Sequence, residues 1–91
     1  MIFDWSPEKE QWLKEVRGLN FQHLIYHIER GDLLDVRKHP NSEKYPSQRI
    51  LLVRMDGYVY VVPYVQDGEV LFLKTIIPSR KETKRYIHED T

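Results

Sequence analysis

The sequence predicts a small α+β domain: an antiparallel sheet made of a three-stranded meander plus N-terminal strands, with two N-terminal helices packed on it. Three observations predict it. Two Asp-Gly pairs, Asp56-Gly57 and Asp67-Gly68, punctuate the apolar, β-branched stretch from Gln48 to Ile77. Asp-Gly suits the two-residue type I′ hairpin turn, whose central positions both need positive φ. Upstream, apolar residues recur at helical spacing in two segments. The chain is 91 residues long, enough for one domain spanning 1–91.

In chain order, Ile2–Trp5 reads as a short strand. Ser6-Pro7-Glu8 reads as a helix start, with Ser as N-cap, Pro at the first helical position and an acid in the first turn. Trp12, Leu13 and Val16 give that helix an apolar stripe, and Gly18 ends it. Asn20 caps a second helix, in which Phe21, Leu24, Ile25 and Ile28 fall at i, i+3, i+4, i+7, and Gly31 closes it. Leu33–Val36 is a candidate strand. His39–Ser47 holds two prolines, Asn41 and two serines, so it is a loop. Gln48–Met55, Tyr58–Gln66 and Glu69–Ile77 form the meander, which Pro78 ends. Pro63 removes a ladder donor from the middle strand, and a bulge is expected there. Ser79–His88 is a basic C-terminal helix or tail.

The turns fix a register and therefore two faces. One carries Ile50, Leu52, Arg54, Val59, Val61, Pro63, Phe72, Lys74 and Ile76. The other carries Arg49, Leu51, Val53, Met55, Tyr58, Tyr60, Val62, Tyr64, Leu71, Leu73, Thr75 and Ile77. Both are largely apolar. Two short helices cover one; the other needs a partner chain or the C-terminal segment. An exposed apolar face marks an interaction site, so a partner is expected.

Composition narrows the function. There is no cysteine, which excludes disulfide scaffolds, thiolate metal sites and thiol nucleophiles. No apolar run approaches the roughly 20 residues that span a bilayer. Met1-Ile2-Phe3-Asp4-Trp5 lacks the features of a signal peptide. A cytoplasmic, soluble protein with no membrane partner is expected. The formal charge is zero, but it is blocked: −3 over 1–35, +4 over 36–55, −3 over 56–73, +4 over 74–85 and −2 over 86–91. Two basic blocks could share a face; the alternative is a merely solvated surface.

Catalytic signatures are sparse. There is no Gly-rich phosphate loop and no Gly-x-Ser-x-Gly elbow. His23 and His27 stand one helical turn apart, but no third ligand is signposted. They read as partly exposed helix histidines, and neither metal nor cofactor is expected. The basic residues say more: Arg37, Lys38 and His39 at the loop entrance, Arg49 and Arg54 on the first meander strand, Lys74 on the last, then Arg80, Lys81, Lys84 and Arg85 with Tyr86. Guanidinium and ammonium groups bind phosphate, and neighbouring aromatics can stack RNA bases. Cleavage of RNA by its own 2′-hydroxyl needs groups that hold the phosphate, stabilise its charge and move two protons. The competing reading is that Arg54 and Lys74 snorkel from the sheet and the tail is a solvated helix.

Phe3-Asp4-Trp5-Ser6-Pro7-Glu8-Lys9 resembles the F-(E/D)-W-D-x-x-K opening of the BrnT-like toxins of type II toxin–antitoxin systems. Asn20-Phe21 stands where that family has S-F. Arg49-Ile50 resembles its E-R-(F/W) strand start, and Ile76-Ile77-Pro78-Ser79-Arg80-Lys81 resembles its I-I-S-A-R-R stretch. The N-x-x-K-H-G segment of the family is replaced by Trp12–Gly18, which keeps the glycine.

The resemblance covers nearly the whole chain. It implies a RelE/ParE-type fold and a metal-independent ribonuclease that inhibits translation. It also implies a cognate antitoxin, and operator DNA bound only through the toxin–antitoxin complex. It implies that Arg49, Arg54 and Lys74 bind the phosphate, that Arg80 or Lys81 stabilises the transition state, and that Tyr86 or His39 transfers protons. Arg37, Lys38, Lys81, Lys84 and Arg85 are then the RNA-binding residues. Two readings compete: a non-enzymatic protein-binding module, and a ParE-like toxin acting on a target other than RNA.

Overall fold

The computed structural model describes residues 1–88 and is an α+β fold with a mixed six-stranded sheet. The chain runs β1 (Ile2–Trp5), α1 (Pro7–Trp12), α2 (Phe21–His27), β2 (Leu33–Lys38), β3 (Gln48–Met55), β4 (Tyr58–Asp67), β5 (Val70–Leu73), β6 (Ile77–Pro78) and α3 (Arg80–Tyr86). Wider π-type turns, Leu13–Arg17 and Ile28–Asp32, continue α1 and α2. The helix starts follow the capping chemistry of the sequence. Ser6 Oγ accepts from Lys9 N at 3.2 Å, and Asn20 Oδ1 accepts from His23 N at 2.7 Å. Each cap satisfies an amide that the helix itself leaves unpaired.

The strand order is β1-β5-β4-β3-β2, with β6 also on β4. The sheet is not purely antiparallel as expected: β1 joins β5 in parallel, Ile2 opposite Val70 and Trp5 opposite Leu73. The antiparallel signal lay in the turns, and no turn connects β1 to β5. The β3–β4 hairpin has the expected type I′ turn, with Asp56 at φ 54° and Gly57 at φ 79°. The β4–β5 turn is centred instead on Gly68-Glu69, with positive φ only at Gly68 and Asp67 paired with Val70. This slips the pairing two residues from the expected register, an even shift that leaves both strands on their assigned faces.

Pro63 does not bulge β4. It pairs in register with Ile50, and its carbonyl accepts from Lys74 N at 2.8 Å. In an antiparallel ladder the N and O of one residue point to the same neighbour. The missing donor of Pro63 therefore faces β5, and that strand is the one that breaks, at Lys74–Ile76, before β6 resumes with Ile77 opposite Val61. The break exchanges the faces of two residues. Ile76 is fully buried with the helix-side core, whereas Ile77 is 38% exposed.

Helices α1 and α2 cover the Leu51/Val53/Met55/Val62 face, burying Leu13, Phe21 and Leu24 against it. Each such side chain contributes about 1.5–3 kcal/mol of burial free energy. The opposite face, Ile50, Leu52 and Val59, is closed by the C-terminal segment through Tyr86 and Ile87. Of the two covers expected for the second face, a partner chain or the C-terminal segment, it is the C-terminal segment that packs there. Among the described residues no helix is long and apolar enough to cross a membrane.

Candidate nucleic-acid interface

Parts of the two basic blocks meet on the α3 face: Arg37 and Arg54 of the first, and Arg80, Lys81, Lys84 and Arg85 of the second. Ser79 caps α3, its Oγ accepting from Glu82 N at 3.1 Å. Ser79, Glu82, Thr83 and Tyr86 form the inward stripe at helical spacing. Two bonds pin the helix to β4: Val59 N donates to Thr83 Oγ1 at 2.9 Å, and Ser79 N donates to Val59 O at 3.0 Å. The outward side is then Arg80, Lys81, Lys84 and Arg85, so every exposed residue of α3 is basic. Arg54 is exposed, stands opposite Val59 and shares this face with Leu52.

Beneath the helix lies a charged cluster. Arg37, opposite Ile50 on β2, donates from Nε to Asp35 Oδ2 at 2.9 Å, from Nη1 to Glu82 Oε2 at 3.1 Å and from Nη2 to the Tyr86 hydroxyl at 2.7 Å. The Tyr86 hydroxyl donates in turn to Asp35 Oδ2 at 3.3 Å. These partners, Asp35 first, raise the pKa of Arg37 above its ordinary value against the effect of burial. The Arg37 guanidinium and the Val36 amide hold the Asp35 carboxyl below the usual carboxylate range. Glu82 is buried, and its Oε1 has no hydrogen-bond partner among the described residues; Arg85 Nη1 stands 3.8 Å away. Glu82 therefore ties α3 to β2 and biases Arg85 toward the same spot.

This arrangement sorts the residues singled out from the sequence. Arg37, Arg54, Arg80, Lys81, Lys84, Arg85 and Tyr86 share the α3 face. Arg37 and Tyr86 are spent on the internal cluster, whereas the others project outward. Lys38 and Arg49 pair with each other in register on the opposite face. His39 sits in the following loop, its ring tilted against Tyr45 with centroids 4.6 Å apart. Lys74 is not across from Arg54. It lies beside Pro63, four residues along β4 from Val59, about 13 Å at strand rise. It borders a shallow groove with Ser6, Glu8, Lys9, Trp12 and Phe72. The catalytic set expected from the resemblance is thus divided among four places: the α3 face, the opposite sheet face, the loop after β2 and the groove beside Lys74.

Two contributors went unremarked in the sequence, Asp35 and Glu82. Glu82 had a signal: it is the one acid in the basic block 74–85 and falls on the inward stripe of α3. Among the described residues, the group able to hold a metal lies elsewhere. His23, His27 and Asp56 bring one ligand atom each to within 4.8 Å of one another.

Comparison with protein-family models, with curated proteins and with solved structures returns no match.

Proposed function

We propose that this protein is an RNA-directed toxin of the BrnT-like kind, built on a RelE-type fold and working in the cytoplasm. A cognate antitoxin neutralises it, and the complex of the two binds operator DNA. One observation carries this reading: in a chain of zero net charge, the outward side of α3 is wholly basic and faces the same way as Arg54. Such local charge attracts a phosphate backbone even when the total is neutral. On this reading Arg54, Arg80, Lys81, Lys84 and Arg85 grip RNA phosphates. One or more of these cations stabilises the charge that develops on the phosphate during attack by the 2′-hydroxyl. Arg37, Glu82 and Tyr86 are positioning residues, because the Arg37 guanidinium, Glu82 Oε2 and the Tyr86 hydroxyl are already hydrogen-bonded within the cluster they form with Asp35.

Induced expression in a bacterial host tests it. Growth arrest with loss of translation is expected, abolished by the triple substitution Lys81→Ala, Lys84→Ala, Arg85→Ala. Absence of arrest by the unaltered chain sinks the proposal. One observation favours the second reading, a non-enzymatic protein-binding module: Trp12 and Val16, 39% and 60% exposed, stand one turn apart on the outer side of the first helix. That reading expects capture of a protein partner and no effect of the α3 triple variant.

A further inference from the structure

A second cluster of titratable groups lies away from α3, where α2 meets the β3–β4 turn. His23 and His27 are one helical turn apart, with ring centroids 4.8 Å from each other. Asp56, the first residue of the type I′ turn, reaches both: its Oδ2 is 2.9 Å from His23 Nε2, and its Oδ1 is 3.6 Å from His27 Nε2. Behind His27, Asp32 Oδ2 is 2.7 Å from Nδ1.

We propose that His23, His27 and Asp56 bind one first-row divalent transition-metal ion of the zinc type, with at least one coordination position left open. The donor set is right: two imidazole nitrogens and a carboxylate oxygen suit zinc, nickel, copper or iron rather than calcium or magnesium. The spacing is right. Tetrahedral zinc with bonds of about 2.0–2.1 Å puts its ligand atoms about 3.3–3.4 Å apart; one ligand atom from each of the three residues already lies within 4.8 Å of the others, and the exposed His23 and Asp56 side chains need only a small inward rotation to close on an ion.

The outer support is also present. Asp32 on Nδ1 fixes the His27 tautomer whose Nε2 lone pair faces Asp56, the carboxylate–histidine pairing that accompanies metal-bound imidazole. His27 is 8% exposed, so its ring is held by packing, whereas Asp56 is well exposed and gives an ion a way in. An ion here would tie α2 to the hairpin.

The test uses the full-length, tag-free chain, titrated with Zn²⁺ by calorimetry and with Co²⁺ by visible absorption. Saturation at one ion per chain is expected, with a Co²⁺ ligand-field band and a higher melting temperature in Zn²⁺. His23→Gln and Asp56→Asn should each weaken binding at least tenfold, and Asp32→Asn, which removes the carboxylate behind His27, about 10–100-fold. His39→Gln should leave binding unchanged. His23 and Asp56 are exposed, and Asn tolerates the positive φ of Asp56, so both variants should keep the fold. Absence of saturable binding overturns the proposal. So does binding that is equally tight in His23→Gln and Asp56→Asn, which would locate the ion elsewhere.

Discussion

Replacing Arg37 by Met tests the cluster that holds α3 in place. Met keeps most of the stem and removes the guanidinium. Glu82 Oε2 then loses its donor, while Oε1 already has no hydrogen-bond partner among the described residues. Removing one partner of a fully buried ion pair costs about 3–5 kcal/mol. The Arg37 and Glu82 side chains are 29% and 10% exposed, so water can reach the vacated side, and about 2–3 kcal/mol is the expected loss by the same rule. That is a large share of the roughly 5–14 kcal/mol expected for a 91-residue chain. At about 4–8 °C per kcal/mol it lowers Tm by roughly 10–20 °C.

Thermal and urea unfolding followed by circular dichroism read the change. The double variant Arg37→Met, Glu82→Leu leaves no buried charge in this pair. It should recover stability relative to the sum of the single variants, with a coupling of at least about 1 kcal/mol. A loss below about 0.5 kcal/mol for Arg37→Met, the size of an ordinary surface change, refutes the reasoning. Additivity in the cycle does so too.

Three further outcomes follow from the same structure. Asp35 has its pKa lowered by Arg37 and the Val36 amide. Its stabilising contribution is therefore complete above the ordinary carboxylate value of about 4 and is lost as pH falls through the lower folded value; acid titration of Asp35→Asn should show a shallower decline in that window than the unaltered chain. Leu52 is fully buried beneath the C-terminal segment, and Leu52→Ala should cost about 2–5 kcal/mol in urea unfolding. Gly57 at φ 79° closes the β3–β4 turn, so Gly57→Ala should cost about 1–2 kcal/mol with the m-value unchanged.

Much of the fold was legible because its signals are local. Ser6 and Asn20 are caps wherever the helices pack, and Asp56-Gly57 sets its hairpin without help from the rest of the chain. What was not legible depends on pairing across the chain. The parallel partnership of β1 with β5 joins segments about seventy residues apart with no turn to announce it. The Pro63 effect was seen but assigned to the wrong strand, because which neighbour its nitrogen faces depends on the ladder and not on the proline. The same applies to the sites. The basic outward side of α3 is readable from Arg80, Lys81, Lys84 and Arg85 once the inward stripe is known. Arg37–Glu82 and His27–Asp56 are contacts between distant segments, and a reading by sequence neighbourhood found one member of each and missed the other.

The central claim is that the α3 face grips RNA, and fluorescence anisotropy with a labelled single-stranded RNA across a salt series tests it most directly. The account predicts saturable binding with log K falling linearly in log salt. The triple variant Lys81→Ala, Lys84→Ala, Arg85→Ala should bind more weakly and reduce the slope by about 2, at roughly 0.7 per phosphate contact. Binding that is absent at low salt, or a slope and affinity that the triple variant leaves unchanged, contradicts it.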